Sequence, residues 1–246
     1  MTDGNGDDTQ SGTVRIAMWS GPRNISTAMM RSWENRPDTE VFDEPFYAAY
    51  LHRTGIHHPG REDVIASQPT DPAEVARQLL APTDAAVSYS KQMTHHYLDG
   101  DDLTWATQVR NVLLIRDPAE VVFSYVRSRE ACQPEDIGLL QQAELFDLLG
   151  SPPIIDAADF LQAPEAYLRW VCDWLDIDFT DRMLTWPAGP RESDGVWAPH
   201  WYDAVVASTG FAPYRPREVE LSEHEAAVAE ACRPAYEELR SRALRL

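Results

Sequence analysis

The residues most able to do chemistry in this chain are the eight at positions 20–27, Ser20-Gly21-Pro22-Arg23-Asn24-Ile25-Ser26-Thr27. They lie between a short apolar run, residues 14–19, and a segment with helical spacing, residues 26–35, in which Met29, Met30 and Trp33 fall on or near one face. Backbone N–H groups at a helix N-terminus point outward unpaired, and the helix dipole favours an anion there. Ser26 and Thr27 add hydroxyl donors, and Arg23 adds a planar fork suited to phosphate or sulfate oxygens. The nucleoside-triphosphate loop reads GxxxxGK[ST]. Here Gly21 is present, but Ser26 stands at the second glycine and Thr27 at the lysine, so the loop suits an anion better than it suits ATP. The competing reading is a polar strand–helix turn with Ser26 as an ordinary N-cap.

Further chemistry-bearing residues follow other apolar runs. Residues 111–126 read NVLLIRDPAEVVFSYV: Arg116 ends a buried strand, Asp117-Pro118 opens a helix, and Ser124 sits eight residues after Arg116. Glu44 follows the run at 41–42. Lys91, His95 and His96 follow a third strand at 85–90. A fifth strand is expected at 153–156. Helices are expected after Asp71-Pro72, after Asp117-Pro118, over 164–175, and beyond the capping box Ser222-x-x-Glu225. Strand alternates with helix throughout. The pattern predicts an α/β fold of three layers, with a central parallel sheet of about five strands flanked by helices. Residues 1–12, which have no apolar side chain beyond Met1, read as a disordered acidic tail, and 13–246 as one domain. In open parallel sheets ligands bind beyond the carboxyl ends of the strands. Arg23, Glu44 and Arg116 all fall there, with Lys91 and His95 after the third strand.

Composition narrows the partners. The formal net charge is −19, which argues against duplex nucleic acid and anionic membranes. No apolar run approaches the roughly 18–20 residues a bilayer span needs, and the polar N-terminus has no signal-peptide pattern, so a cytoplasmic location is expected. Of the 21 basic residues only Lys91 is lysine. High-salt adaptation and a GC-rich genome both produce that bias. A chain nearly purged of lysine that keeps one beside a candidate site suggests a need for a slim ammonium there. Cys132, Cys172 and Cys232 have neither metal-ligand nor disulfide spacing and read as buried thiols.

The two anion motifs together carry a resemblance. A strand followed by Arg116-x-Pro118 with Ser124 downstream resembles the 3′-phosphate segment of sulfotransferases that use 3′-phosphoadenylyl sulfate (PAPS). Residues 22–27 resemble their 5′-phosphosulfate loop, usually Pro-Lys-x-Gly-Thr-Thr, with Arg23 in place of the lysine and Ile25 in place of the glycine. The likeness is greatest to a bacterial branch of this superfamily, whose fold is P-loop NTPase-like, and it runs from residue 14 to about 212. It implies that Arg23, Asn24, Ser26 and Thr27, in a loop completed by Gly21, Pro22 and Ile25, hold the 5′-phosphosulfate. It also implies that Arg116 and Ser124 hold the 3′-phosphate. Arginine is a fork where lysine is a point charge, so the contact at Arg23 must differ from the relatives'. The segment from Lys91 to His95 resembles the family's Lys-Thr-His, at longer spacing. It implies His95 or its neighbour His96 as the base, with Glu44 the rival base; the survival of Lys91 as the sole lysine separately suggests an ammonium on the transferring sulfonate. Arg191, Asp194-Gly195 and Trp197 stand where a late loop covers the nucleotide, while His200 and Trp201 are alternatives for lining the acceptor pocket.

The activity implied is transfer of a sulfuryl group from PAPS to a hydroxyl or amine of a small acceptor, leaving PAP (3′,5′-adenosine bisphosphate), with no metal. Two other readings remain open at this point. One is a P-loop-type small-molecule kinase, which needs Mg²⁺ and the missing GK[ST] lysine. The other is a non-catalytic protein that binds a phosphorylated nucleotide. Acceptor identity and oligomeric state are not encoded in any motif.

Overall fold

A computed structural model describes residues 12–127, 132–216 and 218–246; the expected tail at 1–12 lies, but for Gly12, outside them. Five strands form one parallel sheet: β1 (Val14–Ser20), β2 (Thr39–Asp43), β3 (Val87–Met93), β4 (Arg110–Ile115) and β5 (Ile154–Asp156), in the order β2-β3-β1-β4-β5. Alternation along the strands splits the core into two. Ile16 and Met18 of β1, Tyr89 of β3, and Val112 and Leu114 of β4 pack on one face against Met29, Met30 and Trp33 of helix α1 (Ser26–Glu34). Ala17, Trp19, Leu113 and Ile115 pack on the other face, against Val121 and Val122 of the helix Pro118–Tyr125 and against Val228, Ala229, Cys232 and Leu239 of the helix Glu223–Ser241. Cys132, Cys172 and Cys232 are buried thiols, and burial pushes Cys172 and Cys232 up to about 11 and Cys132 up to about 12.

Helix α1 and the helix Pro118–Tyr125 therefore leave neighbouring strands, β1 and β4, toward opposite faces. Chains that diverge in this way open a crevice at the carboxyl ends of the two strands. It is the loops from those two strands that carry Arg23 and Arg116.

Two sequence expectations change. The third strand starts at Val87 and continues to Met93, so Lys91 belongs to it and does not follow it. The register explains why: Lys91 lies between Met18 of β1 and Asp43 of β2, and all seven residues of β3 are buried. A run reading Ser-Lys-Gln gives no apolar signal, yet as a central strand it is hydrogen-bonded on both sides. Ser26 is the first residue of α1 and not its N-cap; Ile25 takes the cap position and supplies no side-chain hydrogen bond.

Gly21 has a packing role. A Cβ there would sit 2.2 Å from the carbonyl oxygen of Ile137, so the loop backbone passes directly against residues 137–138. Gly138, at φ +73°, closes the contact with Thr94, whose hydroxyl donates to the Gly138 carbonyl at 2.9 Å. Gly21→Ala is expected to cost about 1–3 kcal/mol, the range for overpacking a site whose neighbour is backbone. A denaturant midpoint unchanged from wild type would show that the loop can shift freely.

Candidate active site

The crevice is a cavity of about 370 Å³ lined by the 22–28 loop, Glu44, Lys91, His95, His96, Arg116, Ser124 and residues of the 201–212 segment. It brings together most of the residues singled out above: Pro22, Arg23, Asn24, Ile25, Ser26, Thr27, Glu44, Lys91, His95, Arg116 and Ser124. Three do not line it. Gly21 packs against Ile137, as described. Arg191 is held elsewhere: its guanidinium donates to the Pro187 carbonyl at 2.8 Å and lies 3.6 Å from Glu34. Trp197 is buried against Tyr47, its indole N–H donating to the Tyr202 hydroxyl at 3.1 Å. The lid expected of Arg191 and Trp197 is thus absent from this arrangement; the loop is bolted to α1 instead. Asp194 makes that joint by pairing with the buried Arg31 at 2.6 Å. Of the two alternatives from that loop, Trp201 lines the cavity and His200 does not.

At one end, two arginines, Arg23 and Arg116, line the cavity. Arg23 donates from Nε to the Ser124 hydroxyl at 2.9 Å. Arg116 donates from Nη1 to the Arg23 carbonyl at 2.7 Å, and through Nε and Nη2 to Glu120 at 2.9 and 2.8 Å. Arg116 is thus ion-paired, yet the same side chain faces the cavity and holds the loop. Arg23 has no carboxylate within 4 Å among the described residues. It is exposed by area, but the cleft walls crowd its guanidinium. That partial burial, and then the charge on Arg116, lower its pKa. Asn24 ties the loop to β4 by donating to the Leu114 carbonyl at 2.6 Å. Arg23 (φ 56°) and Ile25 (φ 22°) occupy backbone regions that side chains seldom adopt, so the loop is held in shape by these bonds. The first turn of α1, without a side-chain cap, opens into the same end.

At the other end, the Lys91 ammonium is only 1% exposed and spends its three donors on Asp43 (3.0 Å), Glu44 (2.8 Å) and the Tyr202 hydroxyl (2.5 Å). This corrects the role expected for it: no N–H remains to reach a sulfonate. Burial alone would lower its pKa, but the two carboxylates outweigh that and raise it well above the ordinary lysine value. Of the two carboxylates in the cluster, Glu44 is the one that lines the cavity. Its side chain is 12% exposed, while those of Asp43 and Lys91 are 2%. Burial raises the Glu44 pKa, with Asp43 adding to the rise and Lys91 opposing it. His96 is stacked between Tyr47 and Tyr50 at 4.7 and 4.8 Å between centroids. Burial, then neighbouring His95, His58 and Lys91, push its pKa well below the ordinary histidine value, so it stands neutral, 4.0 Å from Glu44. His95 lies edge-on to His96 and Tyr50 and is less buried.

Sequence reasoning missed Asp43, Tyr202, Tyr47 and His58. Asp43 is adjacent to Glu44, and a pair of acids at a strand end was visible without a sign that a lysine would meet them. Tyr202 is 158 residues from Glu44, and no local pattern marks it. Among the described residues, no group of three His, Cys, Asp or Glu side chains is placed to hold a metal ion, and no helix is long and apolar enough to cross a membrane.

Residues 14–243 match the family model for the sulfotransferase domain. The chain belongs to the sulfotransferase family. Among solved structures, it is similar to a sulfotransferase from Alicyclobacillus acidocaldarius (TM-score 0.56, 12% identity, 95% of this chain and 98% of that one). It is also similar to the sulfotransferase domain of the Synechococcus PCC 7002 olefin synthase (TM-score 0.52, 15% identity, 89% and 94%). At such identities these likenesses bear on the fold, which they share. A curated relative, branched-chain-amino-acid aminotransferase-like protein 2 of Arabidopsis thaliana, is 35% identical over 232 residues; the match takes in 92% of this chain and 41% of that protein. The chain thus spans well under half the length of that relative.

Removing the Lys91 charge should leave two carboxylates buried together. Lys91→Met is expected to cost about 3–5 kcal/mol, as breaking a buried ion pair does. A loss below about 1 kcal/mol in chemical denaturation would mean that Asp43 and Glu44 are already neutralised without it.

Proposed function

We propose that this sulfotransferase moves a sulfuryl group from PAPS to a hydroxyl or amine of a small acceptor, with the nucleotide at the arginine end of the cavity and the acceptor at the Glu44 end. The observation that carries the donor assignment is the linkage of two cavity-lining arginines, Arg116 donating to the Arg23 carbonyl and Arg23 to the Ser124 hydroxyl, beside the uncapped start of α1. The charge on Arg116 already bears on Arg23, and an anion met by both would offset that repulsion. One phosphate would be met by Arg116 and Ser124. The phosphosulfate would be met by Arg23, Asn24, Ser26, Thr27 and the first backbone N–H groups of α1. PAPS supplies an activated sulfuryl group; what the protein adds is position and charge.

Glu44 is the group we assign as base. It is the carboxylate that faces the cavity, and its raised pKa makes it a better proton acceptor than an ordinary glutamate. Lys91 acts through Glu44, holding the carboxylate by a 2.8 Å hydrogen bond and keeping it ionised against the burial that favours the neutral form. Neutral His96, 4.0 Å from Glu44, buttresses it; His95 remains a cavity-lining group that can contact the acceptor. The aminotransferase-like name of the plant relative finds no support in these residues. Imine chemistry needs a lysine that can lose its proton, and this chain's sole lysine is held charged between two acids.

The donor assignment is tested by calorimetry with PAP against ADP, on wild type and Arg116→Ala. PAP is expected to bind at least about tenfold tighter than ADP, a difference of ~1.4 kcal/mol, and the preference should vanish in the variant. Equal binding of both nucleotides to wild type would sink the assignment. For the base, Glu44→Gln should lower kcat by about 10²–10⁴ while leaving PAP affinity within about twofold. A base must be ionised to work, and the Glu44 pKa is raised. Turnover should therefore fall on the acid side at a pH above the ordinary carboxylate range of about 4.3. An acid limb at or below that range would remove Glu44 from the role.

A further inference from the structure

The acceptor end of the cavity has a chemical character of its own. The cavity's two arginines, Arg23 and Arg116, both lie at the nucleotide end. Among the described residues lining the cavity, Lys91 is the one lysine or arginine at the opposite end, and all three of its donors are committed. Two carboxylates, Asp43 and Glu44, contact that one ammonium, so the floor carries one more negative charge than positive. The walls around it are rings. Tyr47, stacked on His96, and Trp201, 5.5 Å from His58, line the cavity, and the Tyr202 ring lies under Lys91 at 4.7 Å.

We infer that the acceptor is a hydroxyl compound carrying a positive charge, an amino alcohol or quaternary-ammonium alcohol, recognised by the aromatic walls around Tyr47 and Trp201 and by the excess carboxylate of the Asp43–Glu44 pair. Aromatic faces attract cations through their ring quadrupole, and more strongly where water is excluded. An unmatched carboxylate at the floor adds to that attraction and repels carboxylate- or phosphate-bearing acceptors. An acceptor of this kind would also bring a positive charge to the end of the cavity where Lys91 has none to spare. This inference rests on the reading that places the acceptor at the Glu44 end.

The test compares choline with its uncharged carbon isostere, 3,3-dimethylbutan-1-ol, and with the anion 4-hydroxybutyrate, by calorimetry on the full chain with and without saturating PAP. Choline is expected to bind at least tenfold tighter than the isostere. In Trp201→Leu the ratio should drop to threefold or less, with PAP affinity unchanged. Equal or tighter binding of the isostere or of 4-hydroxybutyrate, or no binding of choline while PAP binds, would overturn the inference. If PAP itself fails to bind, the donor reading fails, and the three alcohols titrated into the protein alone still decide the question of charge.

Discussion

The contact on which the site depends is the Lys91 ammonium, buried with Asp43 and Glu44 and capped by Tyr202. Moving charges out of water is costly, and a buried lysine persists only where partners repay that cost. Here the partners come from separate parts of the chain. Lys91 lies in β3, Asp43 ends the neighbouring β2, Glu44 begins the loop after it, and Tyr202 arrives from far downstream. Asp43 also accepts from the backbone N–H of Gly195 at 3.1 Å, and Tyr202 accepts from Trp197. One cluster thus fastens the 195–202 segment over the sheet edge and aims Glu44 into the cavity.

Strain gathers at the same place. Of the five described non-glycine residues with positive φ, Arg23, Ile25 and Glu44 all line the cavity. Such conformations cost of order 1–3 kcal/mol each and survive only where surrounding bonds over-determine them. Those bonds are present. Arg116 holds the Arg23 carbonyl, Asn24 is tied to β4, and the Glu44 N–H donates to the Lys91 carbonyl at 3.1 Å. The chain's own hydrogen bonds thus hold the bent backbone of the cavity wall.

The cavity is electrically divided. Arg23 and Arg116 make one end cationic within a chain whose net charge is −19, and the Asp43–Glu44 pair leaves the other end with a carboxylate in excess. A local cluster of this kind is what an anionic nucleotide needs to enter an acidic protein, because burial weakens screening and lets near charges outweigh distant ones. The same division gives the two ends different chemistry although they share one cavity.

Much of this was legible in the residues. Apolar runs separated by helical spacing gave five strands near their true places and a parallel sheet, because burial on both faces imposes a continuous apolar pattern. The 20–27 loop and the Arg116–Ser124 segment were visible because each gathers its polar residues within a few positions at a strand–helix junction. Lys91 stood out as the sole lysine, and Glu44 as an acid at a strand end. What each of them does was not legible. That Lys91 lies inside a strand, that it is neutralised by two acids, that Tyr202 joins them, and that Arg191 and Trp197 are drawn away from the cavity depend on which segments meet in space. Local sequence determines which groups are present and which turn of the chain presents them. The charge a buried group keeps, and so the chemistry left to it, is set by partners that only the tertiary fold brings within hydrogen-bond distance.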